Sequence, residues 1–414
     1  MTIKDHRGDA ISGATASARD AFERALDLHL SWRTGADVHL ERAVREAPVF
    51  TMAHVLAAYL NLCSRDVARV REARAALERA AALPANSRER LHVAAIRAAL
   101  DDDFPTFGAL MSGLLEQYPR DVLALQVGHA LDYMTGDLDA MASRITAVLP
   151  AWAPDLPGYH AVLAMQSFSL VEAARYDLAA EYGLRALELK PLDARAHHAL
   201  AHVYEMTSDA SNGVRWMQDR LAHWSVDTVA ATHLWWHLAL FHLARDDTGA
   251  ALALYDQRVR AGRSRELADL IDATSLLWRF ELLDVDTSGR WLELSLAWAP
   301  HVDDAYCTFS DLHAMLAHVG ARDWSSAGRL ERALLERQAS ETRYGETTRL
   351  VGLPASRAIV AFGRGDYARA TQLLGSIPAH ARRIGGSHAQ RDLLYLTLLY
   401  AVRRLRRPAR PVAA

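Results

Sequence analysis

The sequence predicts an all-α fold, an α-solenoid of antiparallel helix pairs, on three observations. The chain has 414 residues, of which 51% are apolar, and Gly and Pro are sparse, the profile of packed helices rather than disorder. No alternating strand pattern and no β-hairpin signal competes. A two-helix block recurs: an apolar helix with His near its start, a short polar turn, then a second helix rich in Ala and Leu.

The elements follow in chain order. Residues 1–20 are polar and predict a flexible N-terminal segment. First helices then carry His54, His92, His129, His160, His198 and His233, at intervals of 38, 37, 31, 38 and 35. These scatter around the roughly 34-residue period of tetratricopeptide arrays. Turns recur at Gly136-Asp137, Arg175-Tyr176-Asp177, Asp246-Asp247, Arg322-Asp323-Trp324 and Gly365-Asp366-Tyr367, each followed by a helix with closely spaced Ala, which lets paired helices approach. The least repeat-like stretches are 150–158, with three prolines, and 262–310, where Trp278, Trp291 and Trp298 predict bulkier packing. The expected organisation is one repeat domain over 21–402 and a basic C-terminal tail over 403–414.

A net charge of −3 creates no field that would draw nucleic acid or an anionic membrane. Two cysteines, Cys63 and Cys307, are too few for a disulfide framework or a thiolate metal cage. The N-terminus lacks the apolar core of a signal peptide, and no apolar run approaches the ~20 residues of a membrane span. A cytoplasmic protein is expected.

From Leu163 onward the chain resembles the tetratricopeptide repeat protein 38 family. The strings that carry this are Ala164-Met165-Gln166-Ser167-Phe168-Ser169-Leu170, Ala199-Leu200-Ala201-His202-Val203-Tyr204-Glu205-Met206 and Trp236-His237-Leu238-Ala239-Leu240. Pro300-His301-Val302-Asp303-Asp304, Val351-Gly352-Leu353-Pro354, Ala358-Ile359-Val360-Ala361-Phe362-Gly363 and Ile384-Gly385-Gly386-Ser387-His388-Ala389-Gln390-Arg391-Asp392 continue it. The resemblance implies a helical-repeat fold and brings no reaction with it.

The strongest chemical constellation is His198, His202 and Glu205, spaced four and three apart on one helical face. His233 and His237 repeat the four-residue step, each 35 residues after its counterpart. Equivalent positions in neighbouring repeats form adjacent ridges, so four imidazoles and a carboxylate are expected on one surface. That set suits proton transfer or a metal site. Ala199 stands where a zinc-protease helix needs its catalytic Glu, so that chemistry is excluded. If a metal is bound, His198, His202 and His237 are its expected ligands. Histidines that serve only as core hydrogen-bond partners are the competing reading.

A second constellation is His301, Asp303, Asp304, Asp311 and His313. Either aspartate after Pro300 is a natural helix cap. The functional reading has Asp304 charge-pair with an imidazole of the His ridges and tune it as a base. Trp235 and Trp236 would wall the site, although aromatics at helical spacing usually belong to the core. Tyr159 and Arg391 complete the candidate ligand-binding set. Gly385-Gly386-Ser387 before Gln390 reads as a capping box or an anion cradle. No phosphate loop, nucleophile elbow or thiolate pair appears in the sequence.

Two functions are expected on these grounds. One is an inner pocket that binds a small polar or aromatic molecule and catalyses acid/base or metal-assisted chemistry of lyase, isomerase or hydrolase type. No cofactor is expected there beyond a divalent metal. The other is a groove that binds a peptide or partner protein, the ordinary use of such arrays. The peptide clamp relies on Lys and Asn, and the only lysines are Lys4 and Lys190. A homodimer is expected from the apolar final segment around Leu393-Leu394-Tyr395-Leu396.

Overall fold

The computed structural model describes residues 3–287 and 289–406. Helices joined by short turns make up nearly all of it, and two isolated β-bridges, Lys4–Ala10 and Arg33–Thr228, are the only extended pairings among the described residues. The chain, read from sequence as one repeat domain, divides into two compact units, Met1–Asp247 and Thr248–Ala414.

The first unit pairs α1 (Ala16–Leu30) with α2 (Ala36–Glu46), α3 (Thr51–Leu62) with α4 (Val67–Ala81), and α5 (Ser87–Leu100) with α6 (Phe104–Gln117). It continues with α7 (Val122–Thr135) and α8 (Leu138–Val148), α9 (Tyr159–Glu172) and α10 (Tyr176–Leu189), then α11 (Ala194–Met206) and α12 (Ala210–Asp219). The short α13 (Leu221–Trp224) leads to α14 (Ala231–Ala244). The second unit contains α15 (Thr248–Leu254), α16 (Leu267–Leu282), α17 (Arg290–Trp298), α18 (Thr308–Gly320) and α19 (Trp324–Arg337). It ends with α20 (Arg343–Thr347), α21 (Leu353–Gly363), α22 (Tyr367–Gly375) and α23 (His388–Arg406).

First helices are the inner ones. Nearly all of α7 and α9 is buried, whereas α10 buries only Ala179, Gly183 and Ala186. A helix that is apolar all round must be enclosed, and α9 packs against α8, α10 and α11 at once. Aspartate starts most second helices: Asp66, Asp103, Asp137, Asp209, Asp323 and Asp366 each accept a backbone N–H of the turn they cap. The pair turns share a left-handed residue at 65, 102, 136, 174, 208, 246, 322 and 365, and only Gly136 and Gly365 of these are glycine.

The N-terminal segment differs from its polar reading, because its charges are matched internally. Arg7 is buried and donates through both terminal guanidinium nitrogens to Glu23, at 2.9 and 2.8 Å. Arg88 joins Asp5 to Asp121, and Asn86 donates to the Ala10 carbonyl at 2.9 Å. Paired buried charges of this kind hold a segment that hydrophobicity alone would leave loose.

In the second unit the tryptophans of the 262–310 stretch are core. Trp278 and Trp298 are fully enclosed, and their indole N–H groups donate to Thr397 Oγ1 and Thr274 Oγ1 at 3.0 and 2.9 Å. Arg403 and Arg404, expected in a tail, lie within α23, where Arg404 donates to Asp284 at 2.8 Å. Residues 407–414 of that tail lie outside the described residues. Among the described residues no helix is long and apolar enough to cross a membrane.

Candidate functional site

The six histidines of the repeat pattern, and His197 beside one of them, all stand on inner helices but do different work. His54 and His197 each turn Nε2 to a proline carbonyl six residues back, at Pro48 and Pro191, both at 2.9 Å. His92 and His160 fasten one pair to the next through the aspartate that caps the following inner helix: Asp121 at 2.9 Å and Asp193 at 2.6 Å. His129 is enclosed, and burial pushes its pKa down to about 3. Only His198 and His233 meet.

The 35-residue offset brings α11 and α14 side by side with their four-residue steps in phase. His198 Nε2 stands 3.0 Å from His202 Nε2 and 3.0 Å from His233 Nε2. The rings of His202 and His237 are 4.4 Å apart, and those of His233 and His237 are 4.8 Å apart. One ligand atom from each of the four lies within 4.8 Å of all the others. His198, His202 and His237 are buried and His233 is half-buried. Glu205, one turn beyond His202, reaches across so that its Oε2 accepts from His237 Nδ1 at 3.1 Å and lies 4.0 Å from His202 Nδ1.

Aromatic rings enclose this set. Phe168 of α9 stacks on His198 at 5.4 Å and meets His202 edge-on at 5.3 Å. Trp236 stacks on His233 at 5.2 Å. Trp32, from the α1–α2 turn, lies 5.1 Å from His198, and the Arg195 guanidinium lies 4.6 Å from its ring. Burial holds the His198 imidazole well below its ordinary pKa, with His202, His233, His237 and Arg195 adding to the effect, so the ring is neutral at physiological pH.

Within the first unit, Trp235 and Tyr159 separate from this cluster. Adjacent residues on a helix point about 100° apart. Trp236 therefore faces the histidines while Trp235 packs on Trp224 at 4.7 Å. Tyr159 borders a cavity of about 500 Å³ between α1 and the proline-rich linker, together with His160, Asp27 and Glu23. The carboxylate beside the imidazoles is Glu205, of the same unit. Asp304 belongs to the second unit, where its Oδ2 accepts from His301 Nδ1 at 2.9 Å.

Asp303 pairs with Arg329 at the surface, and His313 Nδ1 donates to the Phe309 carbonyl at 2.7 Å, within its own helix. Asp311 is enclosed, and burial, then the charge of Asp304, raises its carboxyl well above the usual range. Arg391 donates to the Gly386 carbonyl, and Ser387 N–H donates to Gln390 Oε1 at 3.1 Å, the capping half of the Gly-Gly-Ser reading. Sequence reasoning missed Trp32, Phe168 and Arg195. Phe168 lies within a string noted for family resemblance and Arg195 opens the helix block that carries His198, but Trp32 sits in no pattern that would have drawn attention to it.

No protein-family model matches the chain. Among solved structures the chain is similar to the crystal structure, at 2.5 Å, of the tetratricopeptide-repeat domain of P58(IPK), at 14% identity over 94% of this chain and 98% of that one, with a TM-score of 0.23. The assignment of an all-α array of tetratricopeptide-like helix pairs rests on the pairs themselves.

Proposed function

We propose that this helical-repeat protein holds one transition-metal ion on His198, His202, His233 and His237, with Glu205 orienting His237. The observation that carries the reading is His198 Nε2 lying 3.0 Å from two other Nε2 atoms. A ring nitrogen has either one N–H or one in-plane lone pair, so it makes one good hydrogen bond and cannot serve two such neighbours equally. Convergent imidazole nitrogens are instead a metal-donor set. Four nitrogens at about 2.0–2.1 Å from a shared ion would stand roughly 3.3 Å apart, close to the separations around His198.

The supporting shell has the expected chemistry. A ligating histidine commonly donates its other N–H to a carboxylate, which fixes the tautomer, and Glu205 takes that place on His237. Imidazole donors favour zinc, copper, nickel or iron over magnesium or calcium, which require oxygen. A bound ion would supply a Lewis-acid centre or fasten α11 to α14. The peptide-groove reading has less support, because Trp32 and Phe168 already cover the inner face at the histidines. The ordered strings from Leu163 to Asp392 support kinship with the tetratricopeptide repeat protein 38 family, which supplies architecture and no substrate.

The test is titration of the metal-stripped full chain with Zn²⁺ and Co²⁺. One equivalent of either ion is expected to bind, with the intense visible bands of tetrahedral Co²⁺, and a His198→Ala, His202→Ala double variant is expected to lose both signals. Wild-type protein that takes up no stoichiometric ion, or a double variant that binds as wild type, would sink the proposal.

A further inference from the structure

The turn between α1 and α2 does more than join two helices. Its left-handed position is occupied by Trp32, at φ 56°, where other pairs place Gly, Ala, Ser, Asp or Arg. A bulky aromatic is a costly choice in that conformation, and it persists only where surrounding contacts hold it.

Those contacts reach the starts of both histidine-bearing helices. On the α11 side, Ala194 N–H donates to the Ser31 carbonyl at 3.2 Å and Arg195 Nε donates to the Leu30 carbonyl at 3.1 Å. On the α14 side, Val229 N–H donates to the Trp32 carbonyl and Thr34 N–H donates to the Asp227 carbonyl, both at 3.0 Å. Arg33 adds bonds to the His223 carbonyl at 3.1 Å and Thr228 Oγ1 at 2.9 Å. The Trp32 indole meets both the Arg195 guanidinium, 4.6 Å from its ring, and the His198 imidazole, tilted against it at 5.1 Å. One five-residue turn therefore sets the spacing of the two helices that supply the four imidazoles, and lays a ring over one of them.

We propose that the Leu30–Thr34 turn is a clasp that controls metal exchange at the four-histidine site, with Trp32 as its cover. This rests on the metal reading above. With the clasp closed, α11 and α14 are held in ligand register and the His198 side of the cluster is roofed, so an ion leaves slowly. With it open, both the spacing and the roof are lost. Because a closed clasp and a bound ion favour the same arrangement, each stabilises the other.

The experiment is release of bound Co²⁺ from the full-length protein into excess chelator, followed by its visible absorption, in wild type, Trp32→Ala, Trp32→Phe and Arg33→Ala. Arg33 touches none of the four donor histidines in the contacts above, so its variant opens the clasp without altering the donor set. Release about tenfold or more faster is expected in Trp32→Ala and Arg33→Ala, with one ion still bound at saturation and with Trp32→Phe close to wild type. Hydrogen exchange at the Thr34 and Val229 amides is expected to slow when Zn²⁺ is added. Release rates equal to wild type in Arg33→Ala and Trp32→Ala, or zinc-independent exchange at those amides, overturn the clasp while leaving the metal site standing. Wild-type protein that binds no ion overturns the metal reading itself, and the clasp with it.

Discussion

Glu205 Oε2 and His237 Nδ1 lie 3.1 Å apart across the gap between α11 and α14, so a carboxylate from one repeat fixes the tautomer of an imidazole in the next. With its Nδ1 proton committed to Glu205, His237 presents a lone pair at Nε2. Replacing Glu205 with Gln keeps the size of the side chain and removes its charge. Zinc affinity is expected to fall about 10- to 100-fold, measured by competition with a chromophoric chelator, while the melting temperature of the metal-free protein stays within a few degrees. Unchanged affinity would show that Glu205 is a bystander.

A second prediction concerns the charged network beneath the N-terminus. Asp121 caps α7 and accepts from Arg88 at 2.8 Å and from His92 at 2.9 Å, all three side chains being buried. Asp121→Ala leaves a buried guanidinium without its main partner and is expected to cost about 3–5 kcal/mol in urea unfolding. Limited proteolysis is expected to cut within residues 3–12 of the variant and spare them in wild type.

The acid limb of stability has a definite sign. Burial lowers the pKa of His129 to about 3 and that of His318 to about 4, against an ordinary value of 6.5. The unfolded chain therefore binds these protons first. Stability from both groups is present above about pH 6.5 and is lost as pH falls toward 4 for His318 and 3 for His129, on the order of 3 and 5 kcal/mol respectively at the end of the fall. Thermal melts of metal-free protein between pH 7 and 4 check this, and His129→Leu is expected to flatten the slope. A melting temperature that holds constant across that range would contradict it.

Close approach of α12 to α14 gives a fourth. A Cβ on Gly213 would stand 2.8 Å from the Phe241 ring, which is itself fully buried. Gly213→Ala is expected to destabilise by about 1–3 kcal/mol despite the better helix propensity of Ala, read by chemical denaturation.

Much of this architecture was legible because it is periodic. The paired helices, their aspartate-capped turns and the 35-residue phase that puts His198 against His233 all follow from spacing along the chain. What spacing could not reveal is contact between distant segments. Trp32 reaches His198 from the opposite end of the unit, and nothing around Trp32 in the sequence marks it. Proximity in sequence also misled in the other direction. Trp235 and Trp236 are neighbours, yet the helical turn sends only Trp236 to the histidines. The polar opening segment suggested looseness because composition does not register that Arg7 and Glu23 neutralise each other in the interior.

The bonds from Arg195 to Leu30 and from Arg33 to Thr228 join residues 165 and 195 positions apart. An open stack of repeats folds by nearest-neighbour propagation and tolerates the loss of an end pair. A stack whose first pair is fastened to its sixth pair and to the segment leading into α14 does not have that freedom, since the longest loop must close before its contacts reward it. Removal of residues 1–35 is therefore expected to broaden or abolish the cooperative urea transition of everything up to Asp247; a truncated chain that unfolds as sharply as wild type would show that the array ends independently of this fastening.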